Sequence, residues 1–519
     1  MAVTLKFSGS LSQSDPLKHG VLIVGQSKHL AQLNYDDIKI KFGTRVNRET
    51  FTSGVNGLHP SPTDSCSLWL NNATVACLPH KCSRHNTPSR AHHLTKIIRS
   101  CVVGGEEFVL LTCERADLFA SACAIARAFP LFMGKSNLSD APRVVTVEVV
   151  LVGPGSDEGL SESDIQALSA ASDGVRLAAK ITDMPCADMH TDAFLQEIKT
   201  VGQELGITPE IIRGEELNRR GFGGIYGVGK AATRPPALAI LSHKPQGATQ
   251  NIAWVGKGIV YDTGGLCLKS KTGMCGMKRD CGGAAGVLGA FYAMVKLGFT
   301  ENLHALFCLA ENAIGPEAQR PDDIVKMYSG RTVEINNTDA EGRLVLGDGV
   351  AYAHRDLKCE TIVDMATLTG AQGIATGKFH AGIVTNNEDM EAACICAGRN
   401  SGDLVHALPY TPELHFSEFA SVLADMKNSV AERGNAQVSC AGLFIHSHIG
   451  FDYHGTWLHI DMAAPVYVGE RATGYGVSLL NTLFGAMSEN KLLRSISPDT
   501  RANGVDEDSG NNPKKIRLN

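Results

Sequence analysis

Thr332-Val-Glu-Ile-Asn-Asn-Thr-Asp-Ala-Glu-Gly-Arg-Leu344 carries an apolar run into a polar stretch and on into a segment, 343–354, with helical spacing. Strand, loop and helix in that order form the repeating unit of α/β folds. In extended geometry alternate residues point the same way, so Asp339, Glu341 and Arg343 are expected to share one direction. Two acids aimed at one spot repel each other unless positive charge lies between them. A divalent cation is the usual solution, with the guanidinium kept outside the ligand set because it cannot be deprotonated. In isolation the same acids serve equally well as helix-start residues that favour the dipole.

The strand–helix alternation extends outward from this stretch. Between about 190 and 485, strand-like runs at 252–255, 305–309, 361–365 and 457–460 alternate with helical runs at 284–297, 343–354 and 389–397. This predicts an α/β fold whose larger C-terminal domain, 185–495, holds a mostly parallel central sheet covered by helices. Residues 1–158 mix β-type runs at 21–24, 108–112 and 144–152 with a helical stretch at 115–129, and are expected to form a smaller N-terminal α/β domain. The turn-rich Gly153-Pro-Gly-Ser-Asp-Glu-Gly159 marks its end. Apolar residues at helical spacing (Ile165, Leu168, Val175, Leu177, Ala178, Ile181) predict a linking helix over 159–184 that stops before Pro185. The polar, Gly/Asn/Lys-rich segment 496–519 is expected to be a disordered tail.

A chain of 519 residues is long enough for two domains. Its 43% hydrophobic and 20% charged content is that of a soluble globular protein. The net charge of −6 argues against a nucleic-acid or membrane surface. No apolar stretch approaches the ~18 residues that would span a bilayer. The start, Met1-Ala-Val-Thr-Leu-Lys-Phe-Ser, lacks the pattern of a signal peptide, so a cytoplasmic location is expected. The cysteines, fifteen in all, are scattered through apolar runs, as buried free thiols are, rather than arranged as a disulfide framework.

A second polar segment follows the 252–255 run: Gly256-Lys-Gly-Ile-Val-Tyr-Asp-Thr-Gly-Gly-Leu-Cys-Leu-Lys269, then Asp280 before a helical pattern. Ligands of open α/β sheets gather at such strand ends. The candidates are therefore Lys257, Asp262, Lys269, Asp280, Asp339, Glu341 and Arg343. Four carboxylates carry a charge that two divalent ions would neutralise, and two-metal hydrolases hold such ions ~3.5–4 Å apart. Lys269 and Arg343 then leave positive charge for an oxyanion or a small anion. Lys257 could act as a ligand only as a neutral amine.

These segments resemble those of the leucyl (cytosol) aminopeptidase family. Its Asn-Thr-Asp-Ala-Glu-Gly-Arg-Leu signature is matched at 337–344, its Gly-Lys-Gly, Asp-(Ser/Thr)-Gly-Gly and second Lys at 256–269, and its Met-x-x-Asp at Met277 and Asp280. Ala366-Thr-Leu-Thr-Gly-Ala371 and Trp457-x-His-x-Asp461 look like two further landmarks, and the chain looks most like the animal probable aminopeptidase-like branch. The resemblance implies a dinuclear metalloaminopeptidase that removes apolar, Leu-like residues from peptides with a free N-terminus, using two divalent ions (Zn2+ and/or Mn2+). Asp262 and Glu341 would bridge both ions, Asp339 would complete one site, and Lys257 and Asp280 the other. Lys269 would polarise the scissile carbonyl. Arg343 would hold a bicarbonate acting as general base. Met277, Thr367, Gly370 and Ala463 would line the pocket for the first side chain. A homohexamer is also implied.

Cys281, Gly276 and Ala464-Pro465 depart from the family's usual residues, which bears on side-chain preference rather than on reaction class. The main rival is a catalytically weak member serving as a binding or scaffold protein; an intact set of seven polar residues argues against it. Three other signals carry less. Cys77-Leu-Pro-His-Lys-Cys-Ser-Arg-His85 lacks the spacing of structural zinc sites. Gly227-Val-Gly-Lys230 lacks the rest of a phosphate loop, and Pro513-Lys-Lys-Ile-Arg517 suits a solvated tail.

Overall fold

The computed structural model describes residues 3–102, 104–136 and 143–498. The smaller, N-terminal domain is built on six strands: β1 Thr4–Ser8, β2 Gly20–Gln26, β3 Asp64–Trp69, β4 Ala73–Leu78, β5 Glu106–Cys113 and β6 Val144–Leu151. Their order is β1-β6-β5-β2-β4-β3, parallel except for the β3 edge. Within the expected 115–129 helix, only Leu118–Ala126 is α-helical, after a 3-10 turn at Arg115–Asp117.

Helix α1, Glu162–Asp183, follows. Ser161 starts it with a reciprocal cap: its hydroxyl accepts from the Asp164 N–H while the Asp164 carboxylate accepts from the Ser161 N–H.

The larger domain contains β7 Glu210–Arg213, β8 Ala237–His243, β9 Asn251–Asp262, helix α2 Gly282–Lys296, β10 Asn302–Asn312, β11 Ile324–Lys326, β12 Thr332–Glu334 and helix α3 Gly342–Arg355. It continues with β13 Thr361–Ala366, β14 Ala381–Thr385, β15 Val405–Ala407, β16 Met426–Lys427, helix α4 Gln437–Ser447, β17 Thr456–Asp461 and helix α5 Lys491–Ile496. Its eight-stranded sheet runs β15-β14-β17-β13-β9-β10-β8-β7. The four central strands, β17, β13, β9 and β10, are parallel. The flanks are not: β8 runs against β10, β7 against β8 and β14 against β17, so the sheet is parallel at its centre, as expected of a mostly parallel sheet, and mixed at its sides.

The period of two along β9 explains its burial on both faces. Ile252 and Trp254 pack in the cluster that includes Ala284, Val287 and Leu288 of α2. Ala253 and Val255 pack in the cluster that includes Leu344, Val345 and Leu346 of α3. Because the central strands are parallel, Asp262, Asn312, Ala366 and Asp461 all end strands at one edge of the sheet.

Helix α1 joins the domains by packing on α2 at a Gly–Gly crossing. A methyl group on Gly174 would sit 2.4 Å from the Gly289 carbonyl oxygen, and one on Gly289 would sit 2.3 Å from that of Gly174. Only glycine permits so close an approach. At the other end of the chain, Leu492, Leu493 and Ile496 of α5 are buried in the core, so Ile496 belongs to the folded unit rather than to the expected tail. The rest of that tail, from 499, lies outside the described residues.

Candidate active site

The stretch 336–341 is not extended. The chain turns between β12 and α3, and Arg343 already lies in the helix. Asp339 and Glu341 are therefore brought to one place by a tight turn rather than by strand alternation. Helix capping does not account for them either, since Glu341 precedes α3 without its side chain accepting a cap hydrogen bond. Asn428 holds the turn: its Oδ1 accepts from the N–H groups of Asn336 (3.0 Å) and Asn337 (3.2 Å), and its Nδ2 donates to the carbonyl of Asn337 (2.7 Å).

At the strand edge, ligand-type oxygens of the buried Asp262, Asp280 and Glu341 all lie within 4.8 Å of one another. Lys257, from the middle of β9, points its ammonium at Asp280 Oδ1 (2.8 Å), Glu341 Oε1 (2.9 Å) and the Thr367 carbonyl (2.9 Å). A methyl group on Gly342 would lie 2.7 Å from Lys257 Cε, so the glycine of the motif makes room for this lysine. Lys269 bridges Asp262 Oδ2 (2.8 Å) and Asp339 Oδ1 (2.5 Å). Thr367 Oγ1 donates to Asp280 Oδ1 at 2.8 Å.

Burial dominates the electrostatics. It pushes Glu341 up to about 8, with Asp262 and Asp280 adding to the rise against Lys257 and Lys269. It also raises Asp280 and Asp339 above the usual carboxylate range. Burial opposes the Lys257 ammonium, yet Asp280, Glu341 and Asp262 more than offset it and hold its proton firmly. The Arg343 guanidinium, buried, falls to about 10. Two carboxylate oxygens of the cluster, Asp280 Oδ2 and Glu341 Oε2, are buried without a hydrogen-bond donor among the described residues. Buried acceptors of that kind call for a partner, and clustered carboxylate oxygens fit hard divalent cations.

Beside this cluster lies a cavity of about 210 Å³ lined in part by Lys269, Asp339, Arg343 and Gly370. Arg343 is 8% exposed, and its Nε and Nη1 have no hydrogen-bond partner among the described residues, which leaves guanidinium donors unpaired beside the cavity.

The signature of the cytosol aminopeptidase family, catalytic domain, matches residues 176–481, and that of the M17 aminopeptidase N-terminal domain 2 matches residues 19–138. The chain belongs to the cytosol aminopeptidase family. It is 60% identical to the probable aminopeptidase NPEPL1 of Homo sapiens, covering 99% of each chain. It is 43% identical to leucine aminopeptidase 1 of Caenorhabditis elegans over 91% of this chain and 96% of that one. The solved structure of the Caenorhabditis elegans leucine aminopeptidase superposes with a TM-score of 0.88 at 41% identity, covering 95% of this chain and all (100%) of that one. The leucyl aminopeptidase of Trypanosoma cruzi follows at 0.83 and 36% identity, covering 95% and 97%. This M17 protein is thus a hydrolase of the aminopeptidase type with the two-domain α/β fold of its relatives.

In this aminopeptidase, Lys257, Asp262, Lys269, Asp280, Asp339 and Glu341 form one connected network. Thr367 flanks it on the loop after β13, and Gly370 opens the short helix Gly370–Thr376 that follows. Ala463 is tied to that loop through Asp461, whose carboxylate accepts from the N–H groups of Leu368 (3.2 Å), Thr369 (3.1 Å) and Ala463 (3.2 Å). Met277 stands half-buried at the start of the 3-10 turn that delivers Asp280. Of the signals outside the network, Cys77 is buried inside β4, and 227–229 lies within the helix Gly223–Gly229 rather than in a loop after a strand.

Sequence reasoning missed the supporting shell. Asn312 Nδ2 donates to Asp262 Oδ1 (2.8 Å) and to the Thr338 carbonyl (3.0 Å). Thr338 Oγ1 donates to the Gly264 carbonyl (2.6 Å) and accepts from the Cys267 N–H (2.8 Å). The available signal was position: Asn312 ends β10 directly opposite Asp262 at the end of β9.

Proposed function

We propose that this chain removes N-terminal, preferentially apolar and Leu-like, residues from peptides at a centre holding two divalent ions, Zn2+ and/or Mn2+. The observation that carries the reading is the buried convergence of Asp262, Asp280 and Glu341 around Lys257, with one oxygen of Asp280 and one of Glu341 lacking a donor. Asp262 and Glu341 would serve both ions, Asp339 one of them, and Lys257 and Asp280 the other. When bound, such ions supply Lewis acidity and a nucleophilic water at neutral pH.

The chain's own residues do the rest. Asp280, fixed by Thr367, would hold the ion that takes the substrate's free α-amino group, which would confine cleavage to chain ends. Lys269 holds its ammonium for the carbonyl oxygen on which negative charge develops. Arg343 anchors a bicarbonate, the proposed general base, with its unpaired guanidinium donors. Met277, Thr367, Gly370 and Ala463 shape the first side-chain pocket, and a methionine there adapts to Leu-like residues. The working unit is proposed to be a cytoplasmic homohexamer, with residues 1–158 as the N-terminal domain, 159–184 as the link and the catalytic domain beyond.

Leu-amide hydrolysis by metal-stripped protein, with Zn2+, Mn2+ or Co2+ added back, tests the proposal beside Glu341→Ala. Activity is expected to vanish on stripping, to return with at least one ion and to stay absent in the variant. Activity that survives both treatments sinks the two-ion assignment. No activity with any ion would favour a binding or scaffold role.

A further inference from the structure

The cavity beside the carboxylate cluster has an outer wall that the reading above does not use. Arg433 and Gln437 line it together with Lys269, Arg343 and Asp339. Its cations are thus three and its carboxylate one, and that carboxylate, Asp339, is already paired with Lys269. Arg433 is exposed and forms no ion pair among the described residues. Its loop is nevertheless held in place: Gln437 Nε2, in the first turn of α4, donates to the Arg433 carbonyl. No side chain caps the start of α4, so its N-terminal amide groups add positive potential at the same wall.

The direction of the substrate follows from the site. On the aminopeptidase reading above, the amino end lies toward Asp280 and the first side chain toward Met277, Thr367 and Ala463, so the chain beyond the scissile bond is directed toward the side of Lys269 and Arg343, where this cavity lies. In a short peptide the next charged group on that side is the terminal α-carboxylate. A guanidinium matches a carboxylate in shape and charge, with two parallel N–H donors. We infer that Arg433 is a specificity residue that binds the C-terminal carboxylate of short peptide substrates, so that the enzyme favours dipeptides and tripeptides with a free carboxyl end. This inference rests on the aminopeptidase reading of the same site.

The test compares kcat/KM for Leu-Gly with Leu-Gly-amide, and for Leu-Gly-Gly with its amide, in the metal-loaded wild type, Arg433→Ala, Arg433→Lys and Arg433→Glu. Each variant supplies its own reference, because the readout is the acid-to-amide ratio. For at least one length the wild type is expected to favour the acid about tenfold or more, the range of a charge-assisted hydrogen-bonded contact. Arg433→Ala should bring that ratio near one, Arg433→Lys should restore part of it, and Arg433→Glu should favour the amide. A wild-type ratio near one at both lengths, or a ratio unchanged in Arg433→Ala, overturns the assignment while leaving the aminopeptidase reading intact. Absence of hydrolysis of every substrate overturns both.

Discussion

The site is built from side chains that are each unfavourable alone. A buried carboxylate costs several kcal/mol unless it is paired, and Asp262, Asp280 and Glu341 share one buried space. Lys257 and Lys269 supply the pairing charge, and Asn312 fixes the Asp262 oxygen that Lys269 does not reach. Partners one step behind a metal ligand typically carry 10–100-fold in metal affinity. With Asp262 a metal ligand as proposed, Asn312→Ala is expected to weaken metal binding by about 10–100-fold while leaving the fold intact, which equilibrium dialysis against Zn2+ or Mn2+ and a melting curve would show. At this scale the sequence was most legible. The seven polar residues lie on three segments with strong local patterns, and the structure brings them together. Asn312, Thr338, Asn428 and Asp461 were not recognised as supports: Thr338 and Asp461 were noted only as motif members, and nothing local to Asn312 or Asn428 distinguishes an amide that orients another side chain from one that meets water.

Elements were legible where one period dominated. Strands β9, β10, β13 and β17 and helices α1, α2 and α3 fall on their expected runs. The antiparallel flanks were not legible, because strand direction depends on connections that no local pattern encodes. The turn at 336–341 was misjudged as extended because its shape is set by Asn428, some ninety residues away. Near the end of α4, burial lowers His446 to about 4 and His448 to about 3, so both are neutral in the folded protein at neutral pH. An unfolded histidine titrates near ~6.5, so below that pH the unfolded state binds more protons and stability falls as pH falls. Each histidine can contribute up to about 1.4 kcal/mol per pH unit in the window between ~6.5 and its folded value. Urea midpoints are expected to drop from pH 6.5 to pH 4.5, and less steeply in a His446→Gln/His448→Gln variant. An equal drop in that variant would assign the effect to other groups.

On the scale of the whole molecule, the two domains meet through buried charge as well as apolar surface. Arg127, at the end of the helix Leu118–Ala126, reaches Asp403 at 2.5 Å and the Thr473 carbonyl at 2.9 Å. Removing one member of such a pair strands the other, at a cost of about 3–5 kcal/mol. Arg127→Ala is expected to split a single calorimetric transition into two, with the smaller domain melting first; one unsplit transition would show that the apolar interface suffices. This docking was invisible in the sequence, since Arg127 and Asp403 lie far apart along the chain and neither belongs to a recognisable motif.

The contact between Gly174 and Gly289 gives the molecule a mechanical property. Helix α1 has 22 residues and spans ~33 Å at 1.5 Å per residue, and it is clamped backbone to backbone against α2, the helix that follows Asp280. A rod held at such a fulcrum amplifies small rotations: a tilt of about five degrees would displace a point ~30 Å away by roughly 2–3 Å. Gly174→Ala would insert a wedge at that fulcrum, forcing the two backbones apart and tilting the N-terminal elements that Arg176, one half-turn on, ties to α1 through the Val3 and Phe129 carbonyls.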